Sequence, residues 1–233
     1  MRFTAPLLRA HFIRRDNRFR ATVALGDEAV AVHVPNSGRL GELLIPGQAV
    51  YIAPRRAPGR RTAYDLVLAR CAEVLVSVDA RLPSRLFAEA CLAGLLPEFQ
   101  GYACLAAEVR RGDSRLDFLL QAGDRRCWVE TKSCTLVEDG VALFPDAPTV
   151  RGQRHLYELA KAATAGDRAA VLFVVQRPDA VAFAPHPCAD PEFTKWLRAA
   201  AQAGVEIRAY RCQVDEERIA LDAPLEVRLP AMG

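Results

Sequence analysis

Three charged residues, Asp117, Glu130 and Lys132, stand in two stretches that alternate apolar and polar side chains. Stretches 114–120 and 127–132 are each typical of a β-strand, and the polar residues between them suit a short turn. Side chains two residues apart point to the same face of a strand, so Glu130 and Lys132 share a face. If the two strands pair as a hairpin, Asp117 lies beside them. The sequence therefore predicts that two acids and one lysine meet on a largely apolar sheet.

This cluster can be interpreted in two ways, as a buried network of ion pairs or as a metal site. Burying a charge without a partner is costly, so either a counter-charge or a cation must accompany the acids. Lys132 is one of only three lysines among 31 basic residues. A lysine in a chain that otherwise uses arginine for charge indicates a specific role, since lysine is a compact point charge.

The segments around the cluster predict a mixed sheet flanked by helices. Helices are predicted over 83–95, 150–165 and 191–204, and further strands over 108–111, 141–144, 169–176 and 205–212. The stretch 169–176 is nearly all apolar, which is typical of a strand buried on both faces. Residues 225–233 are predicted to be a tail. This order of helices and strands favours an α/β (α+β) domain spanning residues 81–233.

The first 80 residues predict a separate small barrel. Five strands are predicted, over 18–25, 28–34, 48–53, 62–70 and 73–77, and closure of such a set removes exposed edges. Residues 1–70 contain 12 arginines against five acids, whereas the rest of the chain has a negative net charge. We therefore expect an OB-like β-barrel, residues 1–80, that binds a polyanion through its basic surface.

Two basic segments of the barrel are candidate nucleic-acid contacts. The loop 54–61 carries Arg55, Arg56, Arg60 and Arg61, and the turn 35–39 carries Asn36 and Arg39. Arginine side chains on loops of small barrels are suited to phosphate contacts. The alternatives are a solvated loop and ordinary turn chemistry, which the Asn-Ser-Gly sequence also suits.

Composition restricts the class of protein. No stretch of about 18 uncharged apolar residues exists, so no membrane span is expected. The seven cysteines are odd in number and never spaced C-x-x-C, which argues against a zinc ribbon and a disulfide framework. We expect a cytoplasmic protein with reduced thiols. His33 and His155 are interpreted as structural residues rather than metal ligands.

The order of the charged residues resembles the core of the PD-(D/E)xK, or restriction-endonuclease-like, nucleases. The resemblance implies that Asp117, Glu130 and the carbonyl of Thr131 hold Mg²⁺ (or Mn²⁺). It implies that Lys132 orients the attacking water and stabilises charge on the phosphate. Leu116 stands where the motif name has proline, and E-x-K alone is common, so the strand context carries the argument.

The same resemblance implies two helical residues at the site. Glu89 lies in the helix before the hairpin, where these nucleases often have an assisting glutamate. Gln153 and Tyr157 match the Q-x-x-x-Y helix pattern of the RecB-like branch. The alternatives are an exposed helix residue for Glu89 and a contact at the helix N-terminus for Gln153.

Nearly the whole chain resembles the sugar fermentation stimulation protein family (SfsA). The resemblance rests on Arg14-Arg15 with Arg18-Phe19 and on five motifs, H-V-P-N-S-G-R (33–39), L-P-S-R-L (82–86), S-R-L-D-F-L-L (114–120), V-E-T-K (129–132) and G-V-A-L-F-P-D-A-P-T-V-R-G-Q-R-H-L-Y-E-L (140–159). It implies an OB-like barrel, a nuclease-like domain, DNA binding without sequence preference and a link to regulation of sugar (maltose) use. Thr131 replaces the usual valine, and its expected contribution is the carbonyl.

Three functions are consistent with the sequence. The first is a Mg²⁺-dependent deoxyribonuclease with DNA as its partner. The second is a purely regulatory DNA-binding protein whose nuclease fold is catalytically silent. The third is a sensor of a small molecule such as a sugar, which the low aromatic content of 7% does not favour. The sequence leaves the oligomeric state open.

Overall fold

The computed structural model describes residues 1–55, 57–102 and 104–230. These residues form sixteen strands, which are β1 Leu8–Asn17, β2 Arg20–Leu25, β3 Glu28–His33, β4 Ala49–Pro54, β5 Tyr64–Cys71, β6 Val74–Ser77, β7 Cys104–Arg111, β8 Ser114–Ala122, β9 Arg125–Cys134, β10 Val137–Glu138, β11 Val141–Phe144, β12 Arg168–Val175, β13 Ala182–Pro185, β14 Glu206–Val214, β15 Ile219–Pro224 and β16 Glu226–Val227. They also form three α-helices, α1 Leu82–Leu92, α2 Val150–Thr164 and α3 Pro191–Gln202. No helix in these ranges is long and apolar enough to cross a membrane.

Strands β1 to β5 form a closed barrel. Their order is β3-β2-β1-β4-β5, and parallel pairing of Val32 with Tyr64 and of His33 with Asp65 joins the two ends. Strand β6 extends the sheet beyond β5. The barrel interior is filled by small and branched apolar side chains such as Val23, which is fully buried. Closure satisfies the backbone groups that an open edge would expose, and the predicted OB-like barrel is confirmed.

The second half of the chain is built on a mixed six-stranded sheet in the order β15-β14-β12-β9-β8-β7. Strands β9, β12 and β14 run parallel, and the flanking pairs are antiparallel. The central strand β12 is buried on both faces, because α2 and α3 pack over one apolar cluster and α1 packs over the other. The predicted mixed sheet flanked by helices is confirmed.

A small third sheet, β10-β11-β13-β16, was only partly predicted. Strand β11 agrees with the prediction, but the tail proposed for 225–233 contains β16, which pairs in parallel with β13. Strand β13 was also not predicted. These strands have two to four residues, too few to establish a period-2 pattern.

Other elements also differ from the sequence prediction, since strand β15 was not predicted and β7 begins at Cys104 rather than at residue 108. Strand β1 was not predicted, because register shifts between Phe12 and Arg14 and between Arg15 and Asn17 break its alternation. Helix α1 stops before Leu95, because Gly94 adopts a left-handed conformation with φ of 69°. Leu95, which the sequence prediction placed at the end of this helix, lies beyond it and is exposed.

Candidate metal centre

The candidate site begins where strands β8 and β9 separate. The pairing recorded between them ends at Phe118 and Val129. One residue further, the Asp117 carboxylate accepts hydrogen bonds from the backbone nitrogen of Thr131 at 2.8 Å and from its hydroxyl at 2.5 Å. Leu116 then packs on the opposite face from Phe118, so the simple alternation predicted for β8 is wrong at this point. The separation brings the Asp117 carboxylate to the edge of a cleft.

Glu130 is the most enclosed acid of the site. Its side chain is almost fully buried, and its Oε2 accepts a hydrogen bond from the backbone nitrogen of Asp117 at 3.2 Å. Its Oε1 accepts one from Lys132 Nζ at 2.6 Å and contacts His155 Nδ1. The predicted trio of Asp117, Glu130 and Lys132 is therefore brought together by the fold, with a histidine from α2 as a fourth member.

His155 connects Glu130 to the cleft surface. The ring is 2% exposed, and its Nε2 lies 3.3 Å from the Nε of Arg151, one helical turn earlier. Arginine can only donate, so Nε2 accepts and the ring proton is on Nδ1, where it donates to Glu130. Lys132 Nζ lies 3.1 Å from the same Nδ1, but with the proton there this contact is not a hydrogen bond, and both groups donate to Glu130 instead. The histidine is therefore a member of the site and contacts a candidate metal ligand, and the expectation that it is not itself a ligand stays a prediction.

The two carboxyl groups have opposite pKa shifts. Burial raises the pKa of Asp117 above its ordinary value, and the negative charge of Glu130 raises it further. Burial also acts to raise the pKa of Glu130, but the charge of Lys132 and the hydrogen bond from His155 outweigh it, and the net shift is downward. Neighbouring acids whose pKa values are pushed apart are typical of functional sites.

A cleft of about 430 Å³ lies over these residues, between the barrel and the second half of the chain. The sheet contributes Asp117 and Glu130 to its lining, helix α1 contributes Ser84, and basic side chains come from Arg18 and Arg151. Ser84 and Arg18 were not predicted as site residues. Both residues stand in motifs of the family resemblance, Arg18-Phe19 and L-P-S-R-L, but no pattern assigns them to the site, because they reach the cleft only when the two halves of the chain meet.

The barrel loop 36–39 forms one wall of the cleft and is fixed from both sides. Asp146 accepts from the backbone nitrogens of Arg39 at 2.7 Å and Leu40 at 3.3 Å. The Arg15 guanidinium donates to carbonyl oxygens of the same loop, among them that of Gly38 at 2.7 Å. A Cβ on Gly38 would lie 2.6 Å from Asp146 Oδ2, so the close approach requires glycine.

Two predicted helical residues are not brought into the cleft. Glu89 points away from it and pairs with the N-terminal ammonium of Met1 at 3.0 Å. The amide of Gln153 lies 3.2 Å from both carboxylate oxygens of Asp190, the residue that caps α3. Helical periodicity places each side chain on a face, but only packing decides what that face meets. On α1 the cleft is met by Ser84 instead.

The predicted nucleic-acid contacts occupy different environments. Asn36 is buried and uses its side chain within the protein, donating to Val78 O at 3.0 Å and accepting from Gly38 N at 2.7 Å. Arg60 pairs with Asp65. The exposed predicted contacts are those at positions 39, 55 and 61. Position 56 lies outside the described residues.

The donor set fits a hard divalent cation that keeps open positions. Within the described ranges, no group of three or more His, Cys, Asp or Glu side chains is arranged to hold a metal. Mg²⁺ requires less, because one or two carboxylates, waters and phosphate oxygens complete its shell. Asp117 and Glu130 provide two carboxylates at an open cleft, and their mutual repulsion raises the pKa of Asp117. A cation between them would relieve that repulsion.

Thr131 contributes more than the sequence indicated. Its expected role was a backbone carbonyl, but its hydroxyl and its backbone nitrogen both donate to Asp117 Oδ2. These bonds hold the carboxylate in place, and a valine could supply only the backbone one. The hydroxyl thus fixes the orientation of a candidate metal ligand.

The fold and the site define a two-part protein, an OB-like barrel joined to a mixed α/β domain with an acid–lysine cluster at the cleft between them. The family models described as the SfsA N-terminal OB domain and the sugar fermentation stimulation protein RE domain match residues 13–78 and 81–218. The chain belongs to the sugar fermentation stimulation protein family.

Similar proteins match along nearly the full length. A sugar fermentation stimulation protein homolog from Moorella thermoacetica is 52% identical over 227 residues, covering 97% of this chain and 98% of the relative. One from Thermoanaerobacter pseudethanolicus is 44% identical, covering 98% of this chain and 100% of the relative. The solved structure of Pyrococcus furiosus SfsA in complex with Ca²⁺ is 36% identical, with a TM-score of 0.90 and 98% coverage of both chains.

Proposed function

We propose that this protein binds DNA without sequence preference and hydrolyses its phosphodiester bonds with Mg²⁺ or Mn²⁺. The observation that carries the proposal is the cluster of Asp117, Glu130 and Lys132 at the base of a cleft with basic walls. Burying two acids beside one lysine is costly for stability alone, and the arrangement suits a metal-assisted reaction on an anionic substrate.

The residues have distinct roles in this reaction. Asp117, Glu130 and the Thr131 carbonyl would hold the cation, which when bound polarises a phosphate oxygen and lowers the pKa of a bound water. Lys132 would orient that water and stabilise the negative charge that develops on the phosphate. Its ammonium already bonds to Glu130, so it is held beside the metal ligands.

Basic residues at the cleft rim provide the attraction for DNA. Arg18 and Arg151 line the cleft, and neither has an acidic partner among the ion pairs of the described residues. Phosphate contacts of this kind carry no sequence information, which agrees with binding that has no sequence preference.

The Ca²⁺ complex of the related Pyrococcus furiosus protein supports the metal site. Ca²⁺ and Mg²⁺ both take oxygen ligands, although Mg²⁺ demands stricter octahedral geometry. That relative binds a divalent cation, and we propose the acid cluster as the place where this chain binds one. The family name adds a link to sugar fermentation, and we propose that DNA binding underlies a regulatory role in sugar (maltose) use.

Cleavage of plasmid and of single-stranded DNA tests the catalytic half of the proposal. We expect purified protein to cleave in Mg²⁺ or Mn²⁺ and not in EDTA. Lys132→Ala and Asp117→Asn should each lower the rate by roughly 10²-fold or more, the usual cost of removing electrostatic stabilisation. Matched controls are Lys195→Ala, at an exposed position of α3, and Asp124→Asn, in the exposed turn between β8 and β9.

The same preparation separates the nuclease from the alternative, a regulatory DNA-binding protein with a silent nuclease fold. That alternative is favoured by the excess of arginine in the barrel. If wild type cleaves no faster than Lys132→Ala yet binds DNA with an affinity that falls steeply with salt, the catalytic claim fails and the regulatory function stands.

A further inference from the structure

The turn between β1 and β2 presents an exposed aromatic ring on a fixed backbone. The nitrogen of Phe19 donates to Asn17 Oδ1 at 2.9 Å, and its carbonyl accepts from Val34 N at 2.9 Å. The same carbonyl accepts from His33 Nδ1 at 3.0 Å. The ring is nonetheless 49% exposed. The backbone bonds hold the turn, so the ring is exposed by a rigid scaffold rather than by a loose loop.

A second ring extends this surface. The rings of Phe19 and His33 are stacked, with centroids 6.4 Å apart and planes at 29°. A single exposed apolar residue is normal on a protein surface. His33 stacks against Phe19 from one side, and the exposed ring of Phe19 leaves an aromatic face on which a planar heterocycle can stack.

The surroundings of the two rings are basic. Both residues line a crevice of about 320 Å³. Among the described residues, the rest of its lining is Asn17, Arg20, Arg60, Arg61 and Thr62, which includes three arginines and no acid. Arg20 forms an ion pair with Asp16, and Arg60 forms one with Asp65. No ion pair of Arg61 is recorded in the described ranges, and its side chain is exposed. Aromatic faces beside cationic groups match the two chemical features of a nucleotide, a base and a phosphate.

The crevice adjoins the candidate metal centre. Arg18 lines the cleft over the acid cluster, and the next residue, Phe19, lines the aromatic crevice. These two lining residues are consecutive, with Cα atoms about 3.8 Å apart, so the cleft and the crevice flank the same turn. A DNA strand lying in the cleft could therefore continue past this turn onto the aromatic rings without leaving the protein surface.

We propose that Phe19 and His33 form a stacking platform for an unpaired base, and that the substrate of the neighbouring cleft is single-stranded DNA. The proposal rests on the proposed function, because it names the substrate form of the same cleft. Duplex DNA hides the faces of its bases within the stack, whereas single strands offer them to aromatic side chains. Arg61 lies where it can contact the phosphates that flank the stacked base.

The test is equilibrium binding of fluorescein-labelled oligothymidylate and of a duplex of equal length, by anisotropy in EDTA so that nothing is cleaved. We expect wild type to prefer the single strand. Phe19→Ala should weaken single-strand binding by about 5- to 150-fold, the range for losing one base–aromatic stack, and change duplex binding by less than about twofold. Phe19→Trp should retain the affinity, and Phe19→Leu should not.

Salt titration distinguishes stacking from charge. Phe19→Ala removes no phosphate contact and should leave the slope of log K against log salt unchanged, whereas Arg61→Ala should reduce it by about 0.7. Leu92→Ala is the matched control, since Leu92 is 82% exposed at the far end of α1.

The outcomes separate this inference from the proposed function. Equal binding of both DNA forms by wild type, an unaffected Phe19→Ala variant, or full affinity in Phe19→Leu would overturn the platform and leave DNA binding intact. Failure of wild type to bind either form would overturn the proposed function and the platform together. Loss of cleavage in Lys132→Ala with normal single-strand binding would support both.

Discussion

Replacing His155 tests whether the proton on its Nδ1 holds Glu130 in place. His155→Ala removes that donor from a carboxylate that is only 3% exposed, and leaves Lys132 Nζ and the Asp117 nitrogen as its remaining donors. His155→Asn keeps an N–H near the position of Nδ1. Both variants lose the ring, asparagine with the smaller loss of volume, and they differ in whether Glu130 keeps its partner.

The magnitude follows from the burial of both groups. A hydrogen bond to a charged group contributes about 1.5–3 kcal/mol, and loss of buried ring atoms adds a cavity cost of roughly 1 kcal/mol. If the free energy of unfolding decreases by about 3 kcal/mol in a chain of this size, the Tm of His155→Ala should fall by about 6–12 °C. His155→Asn should incur only the cavity cost, and its Tm should fall by about 2–4 °C.

Scanning calorimetry in EDTA measures these shifts, and Ca²⁺ titration calorimetry adds a readout that general destabilisation would not move. Partners that orient a metal ligand typically contribute 10- to 100-fold in affinity. We expect His155→Ala to bind Ca²⁺ that much more weakly and His155→Asn to stay close to wild type. Equal Tm values and equal Ca²⁺ affinities for the two variants would refute the assigned donation from Nδ1.

Two further predictions concern stability. Gly112 and Gly123 have similar positive φ values, but a Cβ would lie 2.6 Å from the buried Glu158 carboxylate only at Gly112. Urea unfolding should therefore show that Gly112→Ala is less stable than Gly123→Ala by about 1–3 kcal/mol. Equal stability of the two variants would contradict the clash. The hydrogen bond from Arg177 lowers the pKa of Asp179, so the pair stabilises the fold above the unfolded-state pKa of about 3.9 and loses this as pH falls. The Tm difference between wild type and Arg177→Met should therefore narrow below about pH 4, and a constant difference from pH 7 to pH 3 would disprove the linkage.

Local sequence was sufficient where a pattern repeats over several residues. Strand β12 is eight residues of almost unbroken apolar character, and it lies buried on both faces as predicted. The turn at Gly26 lies between the strands predicted over 18–25 and 28–34, and a two-residue loop there needs a positive φ that glycine supplies. Strand β1 was missed because its bulges interrupt the alternation on which such a prediction depends.

The cluster of Asp117, Glu130 and Lys132 could be placed from the sequence because two of its members share one strand. Their spacing fixes their common face whatever the rest of the chain does. Glu89 shows the opposite case, since a helical position alone does not reveal whether its face meets the cleft or the N-terminus.

The sequence by itself determined the longer regular strands such as β12, the three helices, the barrel and the acid–lysine pair, because backbone periodicity is set by neighbouring residues. Only the tertiary structure decided that His155 reaches Glu130 across 25 residues. It also decided that Asp146 fixes the barrel loop at Arg39 and that Arg18 and Ser84 line one cleft. These contacts depend on how α2, the sheet and the barrel pack together, and no short-range pattern encodes that packing.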